Sequence, residues 1–170
     1  LSKLRHYHTM YDPFCGSGTL LVEGAMLANH IAPGANRDFT ARKWGLFDER
    51  IWREERERAE SLVKKDTDFI AFGSDISHSA VELSARNAKN AGVEKFIRLE
   101  VKDIKNFAPS SEKGTLITNP PYGERMLDIS AAEKLYKMMG GKFERRSGWS
   151  YGIISPDEEF EKCFGRKADK

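Results

Sequence analysis

A chain of 170 residues, 39% hydrophobic and 32% charged, is long enough to bury a core and has the composition of a single globular domain. A formal charge of +2 permits nucleic-acid binding without requiring it, and two cysteines, Cys15 and Cys163, exclude a disulfide framework. No apolar run approaches the roughly 20 residues of a membrane span, LSKLRHYHT has no signal-peptide core, and no Cys/His spacing suggests a metal site. A cytoplasmic protein with no membrane and no metal is expected.

Met10 and Tyr11 read as the end of a buried strand, and Asp12-Pro13-Phe14-Cys15-Gly16-Ser17-Gly18-Thr19 follows as a turn into a helix carrying Leu20, Leu21, Val22, Ala25, Met26 and Leu27. Gly16 and Gly18 let the backbone turn sharply and approach a ligand, while amides at the helix start point outward. Neither the Lys and Ser/Thr of a phosphate-cradling loop nor the three-glycine dinucleotide turn is present. The carboxylate of Asp12 suits a ligand with a cationic group, such as an amino-acid ammonium; an ordinary helix N-cap is the plain alternative.

A loop from Ile31 to Phe39 leads to Thr40–Val63, which reads as helical, with Trp44, Phe47, Ile51, Trp52 and Leu62 on an inner face. Its ERIWREERERAE run reads as a solvated helix laced with ion pairs rather than an RNA-contacting strip. Asp68 to Ser74 is a buried strand ending at Asp75; Ser77 caps a helix with Ala80, Leu83, Ser84, Ala88 and Ala91 on one face, and Gly92 ends it. Phe96 to Val101 is the next strand, followed by Asp103. Gly114 to Thr118 is a fourth, delivering Asn119-Pro120-Pro121-Tyr122. Ile129 to Phe143 reads as a helix with Leu135, Met139 and Phe143 in register, and Trp149 to Ser155 as a fifth strand.

This rhythm implies an α/β, doubly wound, mostly parallel sheet with right-handed crossovers. Ligands of such sheets lie beyond the carboxyl ends of the strands. Asp12, Asp75, Asp103 and Asn119 should therefore converge on one crevice. Asp75 can accept from vicinal ribose hydroxyls, and Asp103 from an adenine amine between the apolar faces of Ile76 and Ile104; as isolated residues they could be a helix cap and a turn aspartate. Together they describe a ligand with a cationic amino-acid end, a ribose and an adenine, which is S-adenosylmethionine.

With that ligand the sequence resembles the Rossmann-like class I methyltransferases, and Asn119-Pro120-Pro121-Tyr122 resembles the loop of those that methylate exocyclic base amines. The stretches DPFCGSGTLLVEGAM, RKWGLFDERIW, GSDIS and TNPPYGERM resemble more closely the THUMP-associated RNA guanine-N2 methyltransferases, the RlmL/RlmK-like group. The resemblance covers nearly the whole chain. It implies a cofactor site on Asp12, Pro13, Phe14, Gly16, Gly18, Thr19, Asp75, Ile76, Asp103 and Ile104, and catalysis by Asn119, Pro120, Pro121 and Tyr122. The implied partner is RNA, ribosomal ahead of transfer RNA.

It also implies an upstream THUMP domain and a seven-stranded sheet with an antiparallel C-terminal hairpin. Only five strands are legible, with Phe160 to Phe164 the sole candidate for a sixth. The chain therefore reads as a methyltransferase domain from a longer protein, lacking part of that hairpin. Adenine-N6 methylation of DNA or RNA is the alternative within enzymes, and a non-catalytic RNA-binding module the alternative outside them. Cys15 as a nucleophile and a nicotinamide-dependent dehydrogenase fit the motifs less well.

Overall fold

The computed structural model describes residues 4, 9–35, 37–122 and 128–169. Five strands, β1 (Thr9–Asp12), β2 (Ile70–Asp75), β3 (Ile97–Val101), β4 (Gly114–Thr118) and β5 (Trp149–Ile153), form one sheet in the order β3-β2-β1-β4-β5. Every neighbouring pair is parallel, so all five carboxyl ends share one edge. The expected architecture is thus present with no antiparallel member among the described residues. Strand order reverses direction between β1 and β4, which makes their junction the place where such sheets open a crevice.

Helices cover both faces. On one, α1 (Thr19–Ala28) and α3 (His78–Asn90) bury Leu21, Ala25, Ala28 and Ala88 against Met10, Ala71 and Ile97. Gly73 allows this close approach, because a Cβ there would collide with the Leu21 and Leu99 side chains. On the other, α4 (Ile129–Lys142) buries Ala132, Tyr136 and Met139 against Tyr11, Leu116 and Phe143. Each fully buried large side chain contributes on the order of 1.5–3 kcal/mol. The buried line of α4 runs through Tyr136, which is fully buried, whereas Leu135, expected there, is only partly buried.

Two expectations are corrected. Phe160–Phe164 is a short helix, α5, and not a strand: Phe160 and Phe164 stack on each other at 5.2 Å and reach Tyr136 on α4 and Phe143 just past its end. Thr40–Val63 is not one helix with an aromatic inner face. A 3₁₀ turn over Thr40–Trp44 stops at Gly45, whose φ of +65° suits glycine, and α2 (Glu49–Ser61) starts afresh where Asp48 accepts from the Arg50 amide at 2.7 Å. Trp44, Phe47, Ile51 and Leu62 are 66%, 58%, 43% and 56% exposed, and Trp52 alone of the five turns inward, beside Phe39 and Phe47. The expected lacing of α2 by ion pairs is present, in Arg58–Glu55 and Arg50–Glu54.

Candidate functional site at the carboxyl edge of the sheet

Hydrogen bonds join the strand ends into a continuous rim. Thr118, the last residue of β4, donates from its hydroxyl to Asp12 Oδ1 at 2.6 Å, so Asn119 follows directly on a residue bonded to the start of the glycine turn. The Cys15 amide donates to the Ser74 carbonyl at 2.9 Å and the Gly16 amide to Asp75 Oδ2 at 3.1 Å, tying that turn to β2. The Lys102 amide donates to the Asp75 carbonyl at 2.9 Å, so Asp103 stands beside the end of β2. The four polar strand ends expected from the sequence are therefore neighbours.

The glycine turn is held from below by α3. Ser84, 1% exposed, donates to the Gly16 carbonyl at 3.2 Å, and Asn87 donates to the Ser17 carbonyl at 2.8 Å. Gly18 has φ +79°, and a Cβ on it would lie 2.5 Å from Ser84 Oγ, so both conformation and space require glycine. A Cβ on Gly16 would meet nothing within 4 Å. One glycine thus seats the turn on α3 while the other faces open space where a ligand can come close to the backbone. Thr19 opens α1 and its hydroxyl lies 3.0 Å from that of Ser17.

Asp12 does not face outward. It is 1% exposed, accepting from Thr118 and, at 3.2 Å, from the Phe14 amide; Pro13 fixes the chain between them. Burial pushes its carboxyl pKa up to about 6; the bonds from Thr118 and Phe14 pull it down, and Asp75 pushes it up. A ligand's cation would feel this charge through the turn rather than touch it in this arrangement. Phe14 packs its ring against the core cluster of α4. Cys15 is 5% exposed, and burial raises its thiol pKa to about 11, so it stays a neutral thiol unsuited to nucleophilic attack.

Asp75 accepts the Gly16 amide on one oxygen and the Ser77 amide, at 2.9 Å, on the other. Each oxygen keeps a second lone pair, so hydroxyls can still be accepted. Asp103 caps a 3₁₀ turn by accepting from the Lys105 amide at 2.8 Å, and its side chain remains 29% exposed. Ile76 stands 72% exposed at the rim; Ile104 is 8% exposed and packs with Tyr11 and Leu116, leaving only an edge to a ligand. In the loop after β4, Asn119 is exposed, Pro120 is buried as an anchor, and Pro121 and Tyr122 are half-buried. Gly123, Glu124, Arg125 and Met126 of the motif lie outside the described residues.

An open glycine turn, a rim carboxylate with spare acceptor capacity, a second half-exposed carboxylate and an exposed Ile76 together fit the amino-acid, ribose and adenine parts of S-adenosylmethionine. A cavity of about 460 Å³ lies elsewhere, between residues 32–35 and α2, and shares no residue with this rim. Among the described residues, no cluster of three or more His, Cys, Asp or Glu could hold a metal ion, and no helix is long and apolar enough to cross a membrane. Sequence reasoning missed Thr118, Ser84 and Asn87. The last two had a signal, since they lie one helical turn apart on the α3 face turned to the glycines.

Comparison with known proteins places these residues in a family. The chain is 40% identical over 159 residues to the proposed RNA methyltransferase YpsC of Bacillus subtilis, covering 94% of this chain and 41% of YpsC. It is 43% identical over 167 residues to the ribosomal RNA large subunit methyltransferase K/L of Shewanella baltica, covering 95% of this chain and 24% of that protein. The solved structure of SMU.472, a proposed methyltransferase complexed with SAH, superposes with a TM-score of 0.92 at 39% identity, covering 99% of this chain and 45% of that one. The chain thus spans less than half the length of each. Residues 1–170 match the family described as RMKL-like, methyltransferase domain, and the chain belongs to that family.

Proposed function

We propose that this domain transfers a methyl group from S-adenosylmethionine to the exocyclic N2 amine of a guanine in RNA, ribosomal RNA ahead of transfer RNA. The observation that carries the reading is the Thr118–Asp12 hydrogen bond, which brings the end of β4 and its Asn119 to the glycine turn. The complex of SMU.472 with SAH supports the cofactor, and the name of the Shewanella relative supports ribosomal RNA. A THUMP domain upstream, implied by the family resemblance, would select the nucleotide.

The bound cofactor supplies an electrophilic methyl group. This chain's residues prepare the acceptor. A base amine is a poor nucleophile because its lone pair is delocalised into the ring. The Asn119 side-chain oxygen and the Pro120 carbonyl accept from its two N–H bonds, turning the lone pair out of the ring plane and stabilising the positive charge that develops on nitrogen. No base is needed before attack, since the proton leaves afterwards. Pro120 and Pro121 hold the loop extended and bring no amide donors that would compete. Tyr122 stacks on the base, which must leave its helix to reach the site.

Two measurements test this. Labelled methyl transfer to guanine and adenine oligonucleotides separates the N2 reading from adenine-N6 methylation, which the same loop could support. Mass spectrometry of RNA nucleosides from cells lacking the gene should show loss of N2-methylguanosine; loss of N6-methyladenosine instead would overturn the guanine assignment.

A further inference from the structure

The crevice opens where β1 and β4 part. Their ladder ends at Tyr11↔Leu116, while β1 continues beside β2 to Asp12↔Gly73 and β4 continues beside β5 to Thr118↔Ile153. Beyond the last backbone pairing, the Thr118 hydroxyl bridges the gap to Asp12 at 2.6 Å, with neither side chain more than 1% exposed. On its other flank the Thr118 carbonyl accepts from the Ile154 amide at 3.0 Å. Thr118 is thus fastened on both sides, and the next residue, Asn119, is exposed at the rim. Asp12 in turn leads directly into Pro13 and the glycine turn.

We propose that Thr118 is a positioning residue: its side-chain bond to Asp12 fixes the substrate loop to the cofactor turn and so sets the separation between attacking amine and methyl group. This rests on the methyltransferase reading above. Methyl transfer is sensitive to that separation, because reacting atoms must be held at near-contact in line. The bond is charge-assisted only while Asp12 is ionised, so the tie weakens as Asp12 takes up a proton. Asp75 is the charged group facing Asp12, and Cys15, the neighbouring titratable group, stays neutral. A purely structural role, in which the hydroxyl only satisfies a buried carboxylate, would cost stability without altering the chemical step.

The test compares Thr118→Val, Thr118→Ser and Asp12→Asn in the full-length protein. Methyl transfer from labelled S-adenosylmethionine is followed on ribosomal RNA from cells lacking the gene, and cofactor affinity by calorimetry. Thr118→Val should lower kcat by about 10–100-fold with cofactor Kd within about threefold, as expected for misplacement rather than lost binding. Thr118→Ser should restore most of kcat. Wild-type kcat should show an acid limb, below the ligand-free value of about 6 because the cofactor's cation favours the ionised carboxylate, and that limb should be absent from Asp12→Asn. Unchanged kcat in Thr118→Val, an equal loss in the serine variant, or a loss confined to Kd would overturn the proposal. Hydrogen exchange of the Phe14 and Ile154 amides, which are bonded to the Asp12 carboxylate and the Thr118 carbonyl, needs no RNA in the SAH-bound protein. It should be faster in Thr118→Val and Asp12→Asn than in wild type and Thr118→Ser, with the strand interiors unchanged, and equal exchange would equally overturn the tie. If wild type methylates no ribosomal RNA, the substrate assignment fails and the exchange measurement decides this one alone.

Discussion

The rim and the segment from Arg37 to Val63 are both rich in charge and aromatic side chains, yet they are built in different ways. At the rim, Asp12 and Thr118 are nearly inaccessible to water, the turn is clamped by Ser84 and Asn87, and each strand end is bonded to its neighbour. In the 37–63 segment the charged groups pair in open solvent, as in Arg42–Glu49 and Arg58–Glu55, and six of its large apolar side chains stand exposed. Hydrogen bonds and charges removed from water are strong and costly to break, whereas solvated pairs are screened. The same residue types therefore carry different weight, and that difference can be measured.

The largest effect should come from Asn119→Ala, which removes the side chain proposed to accept from the base amine without touching the buried network. Methyl transfer should drop by roughly a hundredfold or more while cofactor binding stays near wild type. Equal turnover would take Asn119 out of the mechanism. Gly18→Ala strikes the rim's support instead. A side chain at φ +79°, 2.5 Å from Ser84 Oγ, combines backbone strain with overpacking. The expected loss is about 3 kcal/mol or more in denaturant unfolding, together with weaker cofactor binding. A variant of wild-type stability would mean that the turn is free to shift off α3.

Asp12 gives the rim a pH dependence that solvated pairs lack. Its folded-state pKa, about 6, lies above the ordinary 3.8 chiefly because the carboxylate is buried. The folded state therefore holds the proton more tightly, and this contribution to stability is whole below 3.8 and is lost as pH rises through about 6. Relative to Asp12→Asn, cofactor-free wild type should lose up to ~3 kcal/mol of unfolding free energy between about pH 4 and about pH 8. Urea denaturation across that range checks it. A difference that stays flat would mean that water reaches the carboxylate.

Much of the rim was legible in the sequence because buried parallel strands are contiguous apolar runs and their ends are marked by Asp, Asn and glycine. The order β3-β2-β1-β4-β5 then brings those ends together. What could not be read was direction. Whether Asp12 looks into the crevice or under the turn depends on a bond to Thr118, 106 residues away, and no local pattern encodes that. On α4 the choice of Leu135 over Tyr136 is a rotation of one residue on a helix apolar around much of its girth. The run Phe160–Phe164 was short enough for strand or helix, and contact with Tyr136 and Phe143 decided it. In the 37–63 segment, hydrophobic residues at helical spacing suggested an inner face. Gly45 and Asp48 break the helix there, so the aromatic spacing across the break does not describe one surface.

The smallest effect should come from Arg58→Ala on α2. Arg58 lies 2.6 Å from Glu55, but the two side chains are 71% and 59% exposed, so water competes for both charges and holding the pair costs rotamer freedom. Stability should change by less than ~0.5 kcal/mol and shrink further in high salt, in denaturant unfolding at two salt concentrations. Alanine's own helix preference partly offsets the lost pair. The same variant should leave cofactor affinity unchanged, because neither residue belongs to the rim. A loss several times larger that persists in salt would mean that α2 is packed against something that shields it from water, and the contrast between the two regions would narrow to their chemistry alone.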